Sequence, residues 1–479
     1  MELTLKNIGI IKDSTIKLDG LTVITGPNNS GKSTVGKVLY SLIKTGILPI
    51  TEYRNEINTT KANSFLKIAE EFRFDTVIKY LSIKDDQFGS IINLLAFLAS
   101  ANRVRGRAPY RENLIDIDFN LEKSYDSLSD FLKEISKEYI IKISKDRSQN
   151  EEKYQTYLNS FDERLAKVTL QYKQTQEFIS SDDSFRLFVQ KSCSRIIKSE
   201  FAGQIISNIF LEKTPNLKAK IVLKDGEDIL YNLTLDGGGN LNSDFFESKA
   251  ASFSNVLLID DAYAVDGLNN RVILQDRYNH NRHLLDCLRN KEDETVFEEE
   301  ISQENINHIL RLIQDSYPGN ISNLSGLYMY NDDVIKNLLI QNLATGSKCF
   351  AAIKQLIENR QISRNTLLIL DEPESHLHPE WQNLFAQIIV LLVKEWNVRI
   401  LLTTHSPNFL LALDTYAMKN KISDETHFFK SRHSEDYSVA FDCVDEKINE
   451  VYADLSLPFI KMDALRSEIL SQNIEGDED

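Results

Sequence analysis

Residues 1–25 alternate apolar and polar positions (Leu3, Leu5 and Ile8, then Ile16 and Leu18), with Asp19-Gly20 as a turn. This pattern predicts a β-hairpin feeding a buried strand at residues 21–24. From Lys32 the period becomes helical and runs to about residue 43. Between about 50 and 215 the chain is polar, rich in Lys, Glu and Ser and nearly free of Gly and Pro, which predicts helices. Two stripes inside it step alternately by four and three residues: Leu121, Tyr125, Leu128, Leu132, Ile135 and Tyr139, then Tyr154, Leu158, Phe161, Leu165, Val168 and Tyr172. A polar stretch at 144–150 separates them. A short antiparallel coiled-coil hairpin fits this pattern, and so do two helices facing an ordinary helical core. Strands return with Ile221-Val222-Leu223 and residues 229–235 around Asp225-Gly226, a hairpin signal. Further strands are expected at 256–259, 327–330 and 334–340. A strand–loop–helix–strand series spans 365–410, and a hairpin pairs 427–430 with 439–443. The division expected is an α/β head from 1–47 and 217–465, a helical insertion at 48–216, and a solvated acidic tail at 466–479.

The chemistry gathers at the ends of the apolar runs. Gly26-Pro27-Asn28-Asn29-Ser30-Gly31-Lys32-Ser33-Thr34 has two glycines four residues apart followed by Lys-Ser, and it sits between a strand and a helix. Such a loop wraps its N–H groups around phosphates, with Lys32 reaching the β- and γ-phosphates and Ser33 ligating Mg²⁺. Thr366-Leu367-Leu368-Ile369-Leu370-Asp371-Glu372 is an apolar strand ending in two acids. Asp371 is placed to hold Mg²⁺, and Glu372 to accept a proton from an attacking water. Leu401-Leu402-Thr403-Thr404-His405 is a second such strand, and His405 could bond the γ-phosphate. The turn Leu343-Ala344-Thr345-Gly346-Ser347-Lys348 opens a helix running to about residue 359 and offers an anion site at its N-terminus.

Charge and cysteine content narrow the setting. A net charge of −16 speaks against a surface coated for nucleic acid, though not against a local basic groove. The four cysteines, Cys193, Cys287, Cys349 and Cys443, show no paired spacing, which suits a reducing cytoplasm. Met1-Glu2-Leu3-Thr4 reads as a strand and not as a signal peptide, and the longest apolar runs are too short to span a bilayer. His280, His283 and Cys287 have metal-ligand spacing but no fourth ligand nearby. Asp260-Asp261 imitates the acidic strand end and is read as a structural loop. Arg103, Arg105, Arg107 and Arg111, with Tyr110, form a basic cluster that suits either a nucleic-acid-like trigger or a solvated loop.

Taken in order, the phosphate loop, helical insertion, small-residue turn, Asp-Glu strand and terminal His resemble ABC-type ATPases of the SMC and OLD branch. The run Asp371-Glu372-Pro373-Glu374-Ser375-His376-Leu377-His378-Pro379 resembles OLD-like AAA ATPases of bacterial antiphage systems, as does the run at 26–34. The resemblance covers residues 1–47 and roughly 217–455. It implies an ABC/SMC-type P-loop ATPase head with an N-terminal antiparallel β lobe and the inserted helical region. ATP and Mg²⁺ would lie in a head-to-tail homodimer or higher oligomer, between the loop at 26–34 of one subunit and Ala344, Thr345, Gly346 and Ser347 of the other. Ser375 to His378 would cross the dimer seam. Ala344 stands where the family's signature usually has Ser, and the Gln of the Q-loop is not placed, Gln87 being only one candidate. The chain past His405 is short for the Toprim nuclease domain that OLD proteins carry, and the predicted hairpin tip lacks a Cys-x-x-Cys hook. The expectation is therefore an antiphage ATPase subunit with a separately encoded nuclease or toxin-like effector, answering a phage protein or nucleic acid. Alternatives are a DNA-repair ATPase of the RecF/SMC kind, a transporter's ATP-binding subunit, and a nucleotide switch that barely hydrolyses.

Overall fold

Ten strands form one sheet in the computed structural model, which describes residues 1–48, 52–57, 59–60, 177–241, 253–269, 278–291, 308–314 and 317–476, with scattered positions between 159 and 175. The residues of both heptad-like stripes, the arginines at 103–111 and Gln87 lie outside these. Two compact units divide the chain, Met1–Ile47 with Val189–Asp479, and Leu48–Phe188.

In chain order the first unit contains β1 (Glu2–Ile8), β2 (Ile11–Lys17), β3 (Leu21–Thr25) and α1 (Lys32–Gly46). After α2 (Asp182–Glu200), whose end belongs to this unit, come β4 (Ala219–Asp225), β5 (Asp228–Leu235), β6 (Asn255–Ile259) and α3 (His280–Arg289). A small sheet follows, made of β7 (Asn320–Leu324), β8 (Leu327–Asn331) and β9 (Leu338–Leu339). The rest is α4 (Thr345–Glu358), β10 (Thr366–Asp371), α5 (Pro379–Trp396), β11 (Arg399–Thr404), α6 (Pro407–Asn420), β12 (Thr426–His433), β13 (Val439–Cys443) and α7 (Ile448–Gly476).

The large sheet runs β5-β4-β1-β2-β13-β12-β3-β11-β10-β6. Its first four strands pair antiparallel, with Leu3 opposite Ile16 on one side and Leu223 on the other. They alternate buried and open positions, as a one-faced sheet should. From β12 to β6 the strands are parallel. All five residues of β3 and of β6 are buried, which fits strands covered on both faces. This is a mixed α/β head, with its antiparallel lobe continuous with the parallel core.

Several details depart from the sequence reading. Residues 189–216 pack with the head and not with the insertion, because Cys193, Ile196, Ile197, Ile205 and Ile206 are buried there. Gly9 N–H donates to Ile205 O at 2.7 Å, and Ser207 N–H donates to Gly9 O at 3.0 Å. The strand expected at 334–340 shrinks to β9, since the Asp332 carboxylate accepts from Val334 N–H and Ile335 N–H and bends the chain into a turn. Its place in the small sheet is taken by β7, joined to β8 through Ser325 and Gly326 at φ 54° and 85°. Two successive left-handed residues make the two-residue hairpin turn that matches strand twist. The last helix passes residue 465 without a break, so the segment read as a tail is helical to Gly476.

Gly36 positions α1 against the sheet. A Cβ there would lie 2.9 Å from Ile369 Cγ2 of β10. Gly36→Leu should therefore overpack this contact and lower stability by about 2 kcal/mol. Thermal unfolding followed by circular dichroism should show the lower Tm.

Candidate functional site

The loop between β3 and α1 has the backbone that anion binding requires. Gly26 sits at φ 155°, and a Cβ on it would fall 1.9 Å from Ser431 Oγ. Asn29 and Gly31 are left-handed at φ 61° and 79°, and no side chain among the described residues caps α1. The first N–H groups of the helix therefore face the loop's concavity along with the positive end of its dipole. Lys32 is 4% exposed; its Nζ donates to Gly26 O and Pro27 O at 3.0 Å each and lies 3.2 Å from Glu372 Oε1. Ser30 Oγ is buried with no hydrogen-bond partner among the described residues.

The neighbouring strands deliver acids to the same edge. Thr403 Oγ1 donates to Asp371 Oδ1, and Glu372 N–H donates to Thr403 Oγ1 at 3.0 Å. Glu372 is left-handed at φ 49°, a conformation costly for a non-glycine residue. That backbone is held by Thr403 and by Ser375 Oγ, which donates to Glu372 O at 2.7 Å. The Glu372 carboxylate is thereby clasped between Lys32 and His405, whose Nδ1 lies 3.3 Å from Oε2. Glu374, 2% exposed, accepts from Thr404 Oγ1 at 2.5 Å and from His405 N–H at 3.3 Å. Burial pushes its carboxyl above the usual range. Sequence reasoning assigned Glu374 no role; it braces the strand end that carries His405.

A cavity of about 510 Å³ opens here, lined by Asn28, Asn29, Ser30, Gly31, Lys32, Ser33 and Thr34, and by Asp371 and Glu372. Thr345 and Gly346 of the same chain also line it, whereas Ala344 and Ser347 do not. Thr345 Oγ1 donates to Tyr263 OH at 2.9 Å, and a Cβ on Gly346 would meet His376 O at 2.7 Å, so this turn packs on its own Asp-Glu loop. Asp260 and Asp261 stand on the wall as well. The sequence reads this pair as a structural loop, and the structure adds that the buried run at 256–259 brings both acids to the cavity wall. The donor set fits a nucleotide with a divalent cation. It offers a cradle that side chains would fill, an orphaned hydroxyl at Ser30, one buried lysine, and oxygen ligands at Ser33 and Asp371. Among the described residues no three of His, Cys, Asp and Glu are grouped to hold a metal alone, so phosphate and water would complete the shell.

A family model described as an AAA ATPase domain matches residues 1–410. The chain belongs to this AAA ATPase family. Among solved structures it is similar to the SMC head domain from Thermotoga maritima, at 11% identity over 92% of this chain and 98% of that one, with a TM-score of 0.36. It is also similar to an SMC head bound to the C-winged helix domain of ScpA, at 11% identity over 94% and 98%, TM-score 0.35. A third is an SMC head domain with a coiled coil and joint derived from Pyrococcus yayanosii, at 12% identity over 95% and 98%, TM-score 0.33. No curated protein matches the chain.

In this AAA ATPase the His280, His283 and Cys287 group is otherwise engaged than in a zinc site. His280 Nδ1 lies 2.6 Å from Glu200 Oε2 and Nε2 lies 3.0 Å from Asp260 Oδ2, while His283 Nε2 contacts Cys287 Sγ at 3.5 Å. Burial alone would lower the His280 pKa, but Asp260 and Glu200 outweigh it and hold it up at about 9. For Asp260, burial is likewise outweighed by His280, and its carboxyl lies below the usual range. His283 has no such partners among the described residues, and burial drives it down to about 3. The two histidines act oppositely on stability. The His280 contribution is full below pH 6.5 and is lost as pH rises to about 9. That of His283 is full above 6.5 and is lost as pH falls toward 3. Urea unfolding across both limbs should show His280→Gln flattening the alkaline limb and His283→Gln the acid limb.

Proposed function

We propose that this ATPase binds ATP with Mg²⁺ in the cavity and hydrolyses it, and that it serves as the ATPase subunit of a bacterial antiphage complex. The observation that carries the chemistry is Glu372 held between Lys32 and His405 at the mouth of the phosphate loop. Incoming phosphates compete with Glu372 for Lys32, whose Nζ now rests on loop carbonyls. Release of that ion pair leaves the Glu372 carboxylate able to orient a water and take its proton. His405, with its side chain 45% exposed, is free to donate toward the γ-phosphate while its backbone stays fixed by Glu374. Ser33 and Asp371 would hold Mg²⁺, which when bound neutralises charge on the β- and γ-oxygens.

The wider role rests on the resemblance of the run at 371–379 and of the phosphate loop. In this reading two or more copies assemble head to tail, with Ala344, Thr345, Gly346 and Ser347 of one copy facing the nucleotide of the next. Bound ATP stabilises one arrangement, and an infection cue shifts the population to release or activate a separately encoded nuclease.

Two measurements test the two levels. Lys32→Ala should weaken ATP binding roughly 10–100-fold, the worth of charge-assisted bonds, whereas Glu372→Gln should keep binding and cut turnover by about 10²–10⁴. Equilibrium nucleotide binding and phosphate release separate these effects. Affinity purification of the Glu372→Gln protein from its native operon, followed by mass spectrometry, should recover a stoichiometric nuclease or toxin-like partner. A nucleotide-bound homodimer carrying only DNA would overturn the defence role.

A further inference from the structure

We propose that Asp260 is a working member of the nucleotide–metal site, a second carboxylate for the divalent cation beside Asp371, and that a buried His280–Glu200 pair positions it. This rests on the reading of the cavity as an ATP site. The placement comes from strand register. In the parallel pair of β6 and β10, Ile259 stands opposite Leu370, and the next residues are Asp260 and Asp371. Adjacent strands lie about 4.8 Å apart, so the two acids leave the sheet as neighbours. Both line the cavity together with Ser33, and the Asp260 side chain keeps 23% of its surface open.

What lies behind Asp260 separates it from an ordinary loop acid. The His280 ring, its side chain 4% exposed, has Nε2 3.0 Å from Asp260 Oδ2. On its other side Glu200, its side chain fully buried, takes His280 N–H at 2.8 Å with Oε1 and lies 2.6 Å from Nδ1 with Oε2. One carboxylate thus grips the histidine at two points and fixes the plane of its ring. Tyr40 of α1 packs edge-on to the same ring, 6.0 Å between centroids, so the pair is wedged against the phosphate-loop helix itself. A carboxylate–histidine pair directed at a further carboxylate is the kind of outer shell that orients metal-site groups. Asp261 is built differently: its carboxylate caps the following turn, accepting from Tyr263 N–H at 2.8 Å.

Charge gives the reason for a cation here. Asp260, Asp261, Asp371 and Glu372 face the cavity against Lys32 as its lining lysine. A triphosphate beside Asp260 without a metal meets like charge at close range, whereas with a divalent ion between them the same carboxylate attracts. Asp260→Asn should therefore act with opposite signs under the two conditions.

The test is fluorescence titration of the full chain with a labelled, non-hydrolysable ATP analogue, in EDTA and again with Mn²⁺. The native protein should bind more tightly with the metal. Asp260→Asn should lose roughly tenfold or more of that metal-dependent gain, while binding in EDTA stays equal or tightens. His280→Gln and Glu200→Gln should move in the same direction by less, and circular dichroism shows whether each variant folds. If the two buried variants unfold, Asp260→Asn, at the most exposed of the three sites, decides between the outcomes. An unchanged metal-dependent gain in Asp260→Asn, or equal weakening with and without metal, overturns the assignment. No binding of the analogue by the native chain under either condition removes the ATP reading itself, and this inference falls with it.

Discussion

The level at which the parallel strands end is the constraint on which the site depends. Thr404 pairs with Thr25, Thr403 with Asp371 and Ile259 with Leu370, so β3, β11, β10 and β6 all reach one edge of the sheet together. Strands buried on both faces gain little register information from alternation, because either face of a slipped strand still meets apolar neighbours. The register is pinned at its polar end instead. Thr403 binds the Asp371 carboxylate and the Glu372 N–H with one hydroxyl, and Thr404 binds Glu374. A one-residue slip of β11 would leave those buried polar groups without partners, at about 1–3 kcal/mol each. The hydrogen bonds that aim the acids also set the alignment of the core.

Lys32 shows how the same edge manages a buried charge. At 4% exposure its ammonium has lost most of its water, and two carbonyls and one carboxylate replace it. Such a pair adds little net stability, since desolvation offsets much of the attraction. Its value lies in exchange. Phosphate oxygens can substitute for Glu372 on Lys32 without uncovering the charge, and His405 remains beside the freed carboxylate. In the proposed function, binding and base activation would become one event, driven by competition for a single cation.

Much of this was legible in the sequence because it is local. The glycine spacing at 26–34, the apolar run ending at Asp371-Glu372 and the polar end of the strand before His405 each carry their meaning within a few residues. The hairpins at 1–25 and 221–235 and the α/β series at 365–410 followed from hydrophobic period, whereas the head with its antiparallel lobe was what the family resemblance implied. What the sequence hid is non-local. Asp260 gains its setting from Glu200 and His280, 60 and 20 positions away in the chain, and from a sheet neighbour more than 100 residues on. No spacing rule joins those residues. In the sequence His280, His283 and Cys287 show only a metal-ligand spacing without a fourth ligand, and nothing there points to the carboxylates behind His280. The strand at 320–324 was missed because Asn320, Ser322 and Asn323 lack strand propensity; the turn at Ser325-Gly326 pairs it.

The arrangement also ties the acidic end of β6 to the turn that opens α4. Directly after Asp261 a short 3₁₀ helix, Ala262–Leu268, carries Tyr263 and Asp266. Lys348, 1% exposed, lies 2.7 Å from Asp266 Oδ1 and 4.9 Å from the centre of the Tyr263 ring, while Thr345 bonds the Tyr263 hydroxyl. The His376 ring packs T-shaped against that ring, 6.1 Å between centroids, and its carbonyl makes the close approach to Gly346. Asp260, the 3₁₀ helix, the turn at 344–348 and the loop after Glu372 are therefore packed in one contiguous chain of contacts. A buried ion pair, an aromatic ring and a glycine approach leave such a group little room to deform continuously. The same packing that shapes the cavity wall therefore also fixes the turn that opens α4.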